Sequence, residues 1–326
     1  MRRREIVLGL VGAGLCATRA HGQNTGKMYR IGRLDAAPSA DAERLTAPLF
    51  PELAKLGFVE GRDFTLDRRS AEGELDRLPR LAAEIVARKP DVLFAFSTPG
   101  AAALKAATST IPIVFCYVND PVAVGFAQSL AHPGGNLTGL SNSSLEIAGK
   151  RIELLKEAVP AIRRVAVWYN PETASDPIEL HALQSAAMAL SLESQAVPAR
   201  TPAEFEKAGL LTREWSADGI SLTANAAAFT NRRLIVELIA GLKLPAIHWN
   251  AEFVEIGGLM SYAANFPDLA RRAAHYAAKI LRGANPADLP VEQPAVFDLV
   301  INLRAAQSLG LTLPQSLLLR ADRVLE

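Results

Sequence analysis

The sequence predicts an α/β protein built from two doubly wound parallel-sheet units, and three observations predict it. Short runs rich in Val, Ile and Phe alternate with longer stretches of helical period, the pattern of parallel strands joined by crossover helices. The 326 residues exceed what one hydrophobic core usually serves. Polar residues follow nearly every apolar run, as they do where the carboxyl ends of a sheet form a binding edge.

The first residues read as a leader. Arg2, Arg3 and Arg4 precede an apolar run from Ile6 to Ala17, and Ala20-His21-Gly22 offers small residues at cleavage spacing. The run is too short to span a bilayer, so residues 1–22 are expected to be a removed secretory signal taking the Sec or twin-arginine route to the periplasm. Loss of Arg2, Arg3, Arg4, Arg19 and Glu5 turns the formal charge from +1 to −2. So balanced a surface does not recruit nucleic acid or acidic lipid. Cys16 leaves with the signal and Cys116 remains alone, so no intramolecular disulfide can form. Burial of a chain that is 49% apolar must supply the stability, and a monomer is expected.

The first unit begins with a strand at Tyr29 to Leu34, a helix at Ala42 to Leu56 and, after Gly57 to Gly61, a strand near Phe64 to Arg68. A helix at Leu75 to Arg88 is stopped by Pro90. Asp91 to Phe96 is a strand with almost no polar interruption, the mark of a strand covered on both faces. Helix Gly100 to Ala107, strand Ile113 to Val118, helix Val122 to Leu130 and strand Leu137 to Leu140 continue the alternation. The boundary falls close to Ser141. The next helix places Ala148, Ile152, Leu155 and Val159 on one stripe.

A second round follows. Strands are expected at Val165 to Tyr169, Leu192 to Val197, Gly219 to Thr223 and Ala246 to Trp249, with helices at Pro177 to Leu190, Pro202 to Trp215 and Asn231 to Gly241. Gly258 to Tyr262 reads as a strand, and the helix after Pro267 stacks Leu269, Ala270, Ala273, Ala274, Ala277, Ile280 and Leu281 on one face until Gly283 and Pro286 end it. Val296 to Ile301 is a last strand and Leu303 to Leu309 a short helix.

Strand ends supply the candidate binding residues: Asp35, Ser97, Thr98, Asn119, Asp120, Ser141, Asn142, Asn170, Asn225, Trp249 and Tyr262. Ser97-Thr98-Pro99 stands at a helix start, whose free amides attract an anion such as a ligand carboxylate. Asp120 is placed to accept a cation, and Trp249 and Tyr262 to cover an apolar ligand face. Each has a plainer reading as a cap or turn residue.

Catalytic patterns are absent from the sequence. His132, His181, His248 and His275 lack metal-ligand spacing, and no cofactor or metal is expected. Cys116 lies inside an apolar strand and reads as a core thiol. There is no G-x-S-x-G elbow, P-loop or G-x-G-x-x-G after the first strand.

Several longer stretches resemble a known family. They are Asp120-Pro121-Val122-Ala123-Val124-Gly125, Pro133-Gly134-Gly135-Asn136-Leu137-Thr138-Gly139-Leu140-Ser141, Lys150-Arg151-Ile152-Glu153-Leu154-Leu155-Lys156-Glu157 and Gly257-Gly258-Leu259-Met260-Ser261-Tyr262. Arg271-Arg272-Ala273-Ala274, the run from Ala284 to Pro294 and Val300-Ile301-Asn302-Leu303 belong with them. Together they resemble the exported solute-binding proteins of ABC transporters, which include tryptophan-binding members. The resemblance implies a type I periplasmic-binding fold: two doubly wound lobes, joined by hinge strands, that close on a small ligand. The implied ligand-facing loops hold Ser97-Thr98, Asn119-Asp120, Ser141-Asn142, Asn170 and the region of Asn225.

Hinge crossings are expected near Ser141, Ala263 to Asn265 and Ile301 to Leu303. The N-terminal lobe would then be 27–141 plus 265–301, and the C-terminal lobe 142–264 plus 302–326. The implied role is capture of an amino-acid-like or aromatic or carboxylate solute for a membrane permease and its ATPase. Alternatives are a ligand-sensing subunit for a membrane receptor and an exported enzyme on the same scaffold, with Asp120 or Glu252 as base.

Overall fold

The computed structural model describes residues 27–326; the expected signal at 1–22 lies outside them. Two sheets form the frame. The first contains β1 (Tyr29–Asp35), β2 (Phe64–Ser70), β3 (Val92–Ala95), β4 (Ile113–Val118) and β5 (Leu137–Ser141) in the order β2-β1-β3-β4-β5, every pair parallel. All residues of β3, β4 and β5 are buried. Helices on both faces hide them from water, so no alternation with polar residues is needed.

The second sheet contains β6 (Arg164–Tyr169), β7 (Glu193–Pro198), β8 (Gly219–Leu222), β9 (Ala246–His248), β10 (Met260–Ala264), β11 (Phe297–Asn302) and β12 (Arg323–Leu325) in the order β12-β11-β10-β9-β8-β6-β7. Only β10 and β11 run antiparallel. Phe297 to Ile301, expected with the first lobe, therefore belongs to the second sheet. Leu299, Val300 and Ile301 are buried there, and Phe297 stacks on Tyr262 with ring centroids 5.9 Å apart.

The long helix Phe266–Leu281 turns ten buried side chains toward the first sheet and toward the helix Leu49–Lys55. Asn265 caps it, accepting the Asp268 N–H at 2.8 Å. The chain crosses between the sheets after Ser141, at Asn265 and again between Gln293 and Val296. That last crossing lies ahead of the expected 301–303, because Glu292 first pairs with β5: its N–H donates to Gly139 O and its carbonyl accepts from Ser141 N–H, both at 3.0 Å. The Asn265 N–H then donates to Val296 O at 3.0 Å, tying two crossings together.

Two sequence expectations differ locally. Ala42 to Leu56 forms two helices, Ser39–Leu45 and Leu49–Lys55. Val122 to Leu130 forms turns instead of a helix. Asp120 Oδ1 accepts the N–H groups of Val122 and Ala123 at 3.1 and 3.0 Å, and Gly125 at φ +70° breaks the helical path.

Gly139 is fixed by close packing. Its φ is +150°, and a Cβ there would lie 1.9 Å from Phe115 O on the neighbouring strand.

Candidate functional site

The carboxyl ends of both sheets face a common cavity lined by both lobes. Ala36 and Ala37 follow β1, Phe96, Ser97 and Thr98 follow β3, and Asn119 follows β4. Asn142 comes from the first crossing. Opposite them stand Thr173 after β6, Ala224, Asn225 and Ala226 after β8, and Trp249 and Asn250 after β9. Leu45, Pro99, Tyr117, Phe229 and Phe266 complete the wall. Both lobes contribute polar tips and aromatic rings.

Local backbone chemistry explains these placements. Ser97 is in extended conformation and its hydroxyl oxygen accepts the Gly100 N–H at 3.2 Å, so the helix Thr98–Ala107 starts at the cavity. Asn225 and Asn250 cap the short helices Ala226–Thr230 and Ala251–Glu255 in the same way. Tyr117 has a left-handed backbone, φ +64°, where the β4–β5 register shifts. This bulge sets its ring 4.5 Å from that of Phe266 and 5.5 Å from that of Phe96, with its hydroxyl 3.1 Å from Leu45 O and Phe266 O. Strain of this kind persists only where the surroundings over-determine it.

Six of the eleven candidate residues share the wall: Ser97, Thr98, Asn119, Asn142, Asn225 and Trp249. The other five lie outside it. Asp35 is buried, with its carboxylate 2.7 Å from Arg33 Nε, and burial pushes its pKa up to about 6. Asp120 closes its own turn through Oδ1. Ser141 is sealed in the crossing with its Oγ 3.3 Å from Ser143 Oγ. Asn170 accepts the Glu172 N–H at 3.0 Å, the turn reading. Tyr262 points into the core beneath the second sheet, against Phe297.

Behind the wall lies a buried polar network that the sequence does not announce. Arg151, 0% exposed, pairs with Glu179, which also accepts from Ser144 Oγ at 2.7 Å and from the Ala224 N–H at 3.0 Å. Asp176 Oδ2 accepts from Thr223 Oγ1 at 2.5 Å, Asn225 Nδ2 at 2.8 Å and the Asn170 N–H at 2.9 Å. Its other oxygen has no partner among the described residues. Burial, reinforced by the charge of Glu179, pushes the Asp176 pKa up to about 7. The available signal was the pair of acids three residues apart at a helix start. Their partners come from loops far along the chain.

The lobes also bond directly. Asn119 Nδ2 donates to Ala224 O at 2.7 Å and to Ser175 Oγ at 3.2 Å. At the cleft edge, Asp41 and Arg44 of the first lobe meet Arg232 and Glu252 of the second in a closed ring of alternating charge. Arg232 lies 2.5 Å from Asp41 and 3.2 Å from Glu252, Arg44 lies 3.2 Å from Asp41, and Arg44 also pairs with Glu252. The Arg232 guanidinium stacks on Phe229, 4.5 Å from its centroid, so the ring of charge rests on the cavity wall. Glu252, one of the bases considered for an enzyme, is held in this ring. Cys116 is fully buried in β4, and its thiol is pushed well up by burial.

Two doubly wound lobes enclosing a cavity at facing strand ends define the class of periplasmic-binding-protein-like receptors. The chain belongs to the ABC transporter substrate binding protein family, whose model matches residues 46–325. It is 26% identical over 276 residues to a tyrosine-binding protein of Clostridioides difficile, covering 85% of this chain and 79% of that protein. A conserved domain protein of Vibrio cholerae superposes with a TM-score of 0.87 at 30% identity, over 91% of this chain and all of that one. An ABC domain from Streptococcus pneumonia, solved in complex with L-Trp, superposes with a TM-score of 0.86 at 24% identity, over 92% of this chain and 100% of its own.

Proposed function

We propose that this protein is the periplasmic solute receptor of an ABC transporter, capturing a small solute between its lobes and delivering it to a membrane permease coupled to an ATPase. The observation that carries the reading is the two-sided wall, with Thr98 and Asn119 on one lobe facing Asn225 and Asn250 on the other. A solute touching both sides makes its full set of contacts only when the lobes are closed, so binding shifts the equilibrium to that state. Five aromatic rings, Phe96, Tyr117, Phe229, Trp249 and Phe266, suit a solute with a flat apolar face. The relatives named for tyrosine and solved with L-Trp support an aromatic solute.

Mass spectrometry of compounds released on denaturing freshly purified protein, followed by titration of the intrinsic fluorescence of Trp168 and Trp249, tests the reading. A released small molecule that rebinds and changes the emission supports it. A protein that releases nothing and responds to no amino acid, aromatic acid or amide refutes it.

A further inference from the structure

The cavity wall contains no Asp, Glu, Lys, Arg or His among the described residues. Most charged groups around it are committed elsewhere. Arg33 pairs with Asp35 and Glu43, Arg151 with Glu179, and Asp41, Arg44, Arg232 and Glu252 close on one another. Asp176 and Asp120 lack a cation among the described residues, but neither lines the wall: Asp120 closes the turn beyond Asn119 and Asp176 stands one layer back. Asn225 and Thr173 lie between it and the cavity, and its unpartnered oxygen is buried away from the surface. A solute ammonium would therefore leave water for a site with no counter-charge in contact, which is strongly unfavourable.

The uncommitted polar groups of the wall are mostly donors. Ser97 uses its oxygen on the Gly100 N–H and keeps its own proton. Asn250 uses its side-chain oxygen on the Glu252 N–H at 2.8 Å and keeps its amide hydrogens. The Thr98 hydroxyl can donate, whereas the Trp249 indole N–H is buried away from the cavity surface and its ring supplies an apolar face. Donors without a carboxylate among them call for acceptor oxygens on the guest.

We infer that the solute is an aromatic compound with a carboxylate or carboxamide head and no amino group, the amine-free counterpart of an aromatic amino acid. This rests on the binding role proposed above. It assigns the head-group chemistry that Ser97, Thr98 and Asn250 select.

The test is calorimetric titration with matched compounds on one ring system: 3-phenylpropanoate, 3-phenylpropanamide, L-phenylalanine and 2-phenylethylamine, repeated with the indolyl series. The acid or the amide is expected to bind at least ten-fold tighter than the amino acid, with the amine weakest. Tighter binding of phenylalanine or tryptophan overturns the inference and leaves the receptor role standing. Loss of such amino-acid binding in Asp176→Asn would identify Asp176 as the counter-ion and overturn it equally. If no member binds, the compound released on denaturation decides: an amine-free acid or amide supports the inference, and an amine refutes it. If nothing binds and nothing is released, both the inference and the receptor reading fail.

Discussion

Asn119 of the first lobe donates its amide hydrogen to the carbonyl oxygen of Ala224 in the second, at 2.7 Å, across the cleft. Asn119 Oδ1 accepts from Asn142 Nδ2 at 2.9 Å, so one side chain joins the first lobe, the crossing and the second lobe. Its bond to Ala224 exists only while the lobes are together.

Asn119→Ala should therefore weaken solute binding more than it weakens the fold. A neutral hydrogen bond contributes about 0.5–1.5 kcal/mol net, so a loss of roughly two- to ten-fold in affinity is expected by calorimetry. Small-angle scattering should show a larger radius of gyration at subsaturating solute. An unchanged affinity would remove Asn119 from closure.

The ring formed by Asp41, Arg44, Arg232 and Glu252 makes closure sensitive to salt. Raising ionic strength to about 1 M shortens the screening length to about 3 Å, and affinity should fall several-fold. In Asp41→Asn the affinity should start lower and its salt dependence should flatten. Equal slopes in the two proteins would show that the ring does not hold the lobes.

Asp176 gives stability a pH dependence of defined sign. Its folded pKa, about 7, lies above the ordinary carboxylate value, so the folded state holds a proton that the unfolded chain releases. The contribution is fully present below about pH 4 and is lost as pH rises through about 7. Asp176→Asn should remove this slope and stabilise the protein relative to wild type at pH 8, by on the order of a few kcal/mol. Thermal denaturation of both proteins between pH 4 and 8 reads the difference directly.

Gly139→Ala should be severely destabilising, since its new methyl group would meet the Phe115 carbonyl at 1.9 Å. Relieving that overlap requires β4 and β5 to separate, at a cost of 3 kcal/mol or more, roughly the upper range for overpacking. Gly135→Ala is the control, because a Cβ there meets nothing within 4 Å and its φ is ordinary. Similar melting temperatures for the two variants would contradict the packing argument.

Strand cores were legible because β3 and β4 are continuous apolar runs, and hydrophobic periodicity survives translation into structure. The positions just beyond them were legible too, and Thr98, Asn119, Asn225 and Trp249 follow directly from strand ends. The charged residues were not. Arg151 sits in Lys-Arg-Ile-Glu-Leu-Leu-Lys-Glu, which reads as a solvated helix face, yet it is fully buried because Glu179 from another helix neutralises it. Polar tips such as Asp120 and Asn170 look identical in sequence whether they meet a guest or close their own turn. Distance along the chain hides which of the two applies.

The three passages between the lobes lie side by side, bonded through Asn265 with Val296 and through Glu292 with β5. A single cord would let the halves swivel in any direction, whereas a laced strip behaves like the spine of a book. The halves keep one easy movement and lose twist and slide. Anything resting on both outer covers at once would then sense a single angle.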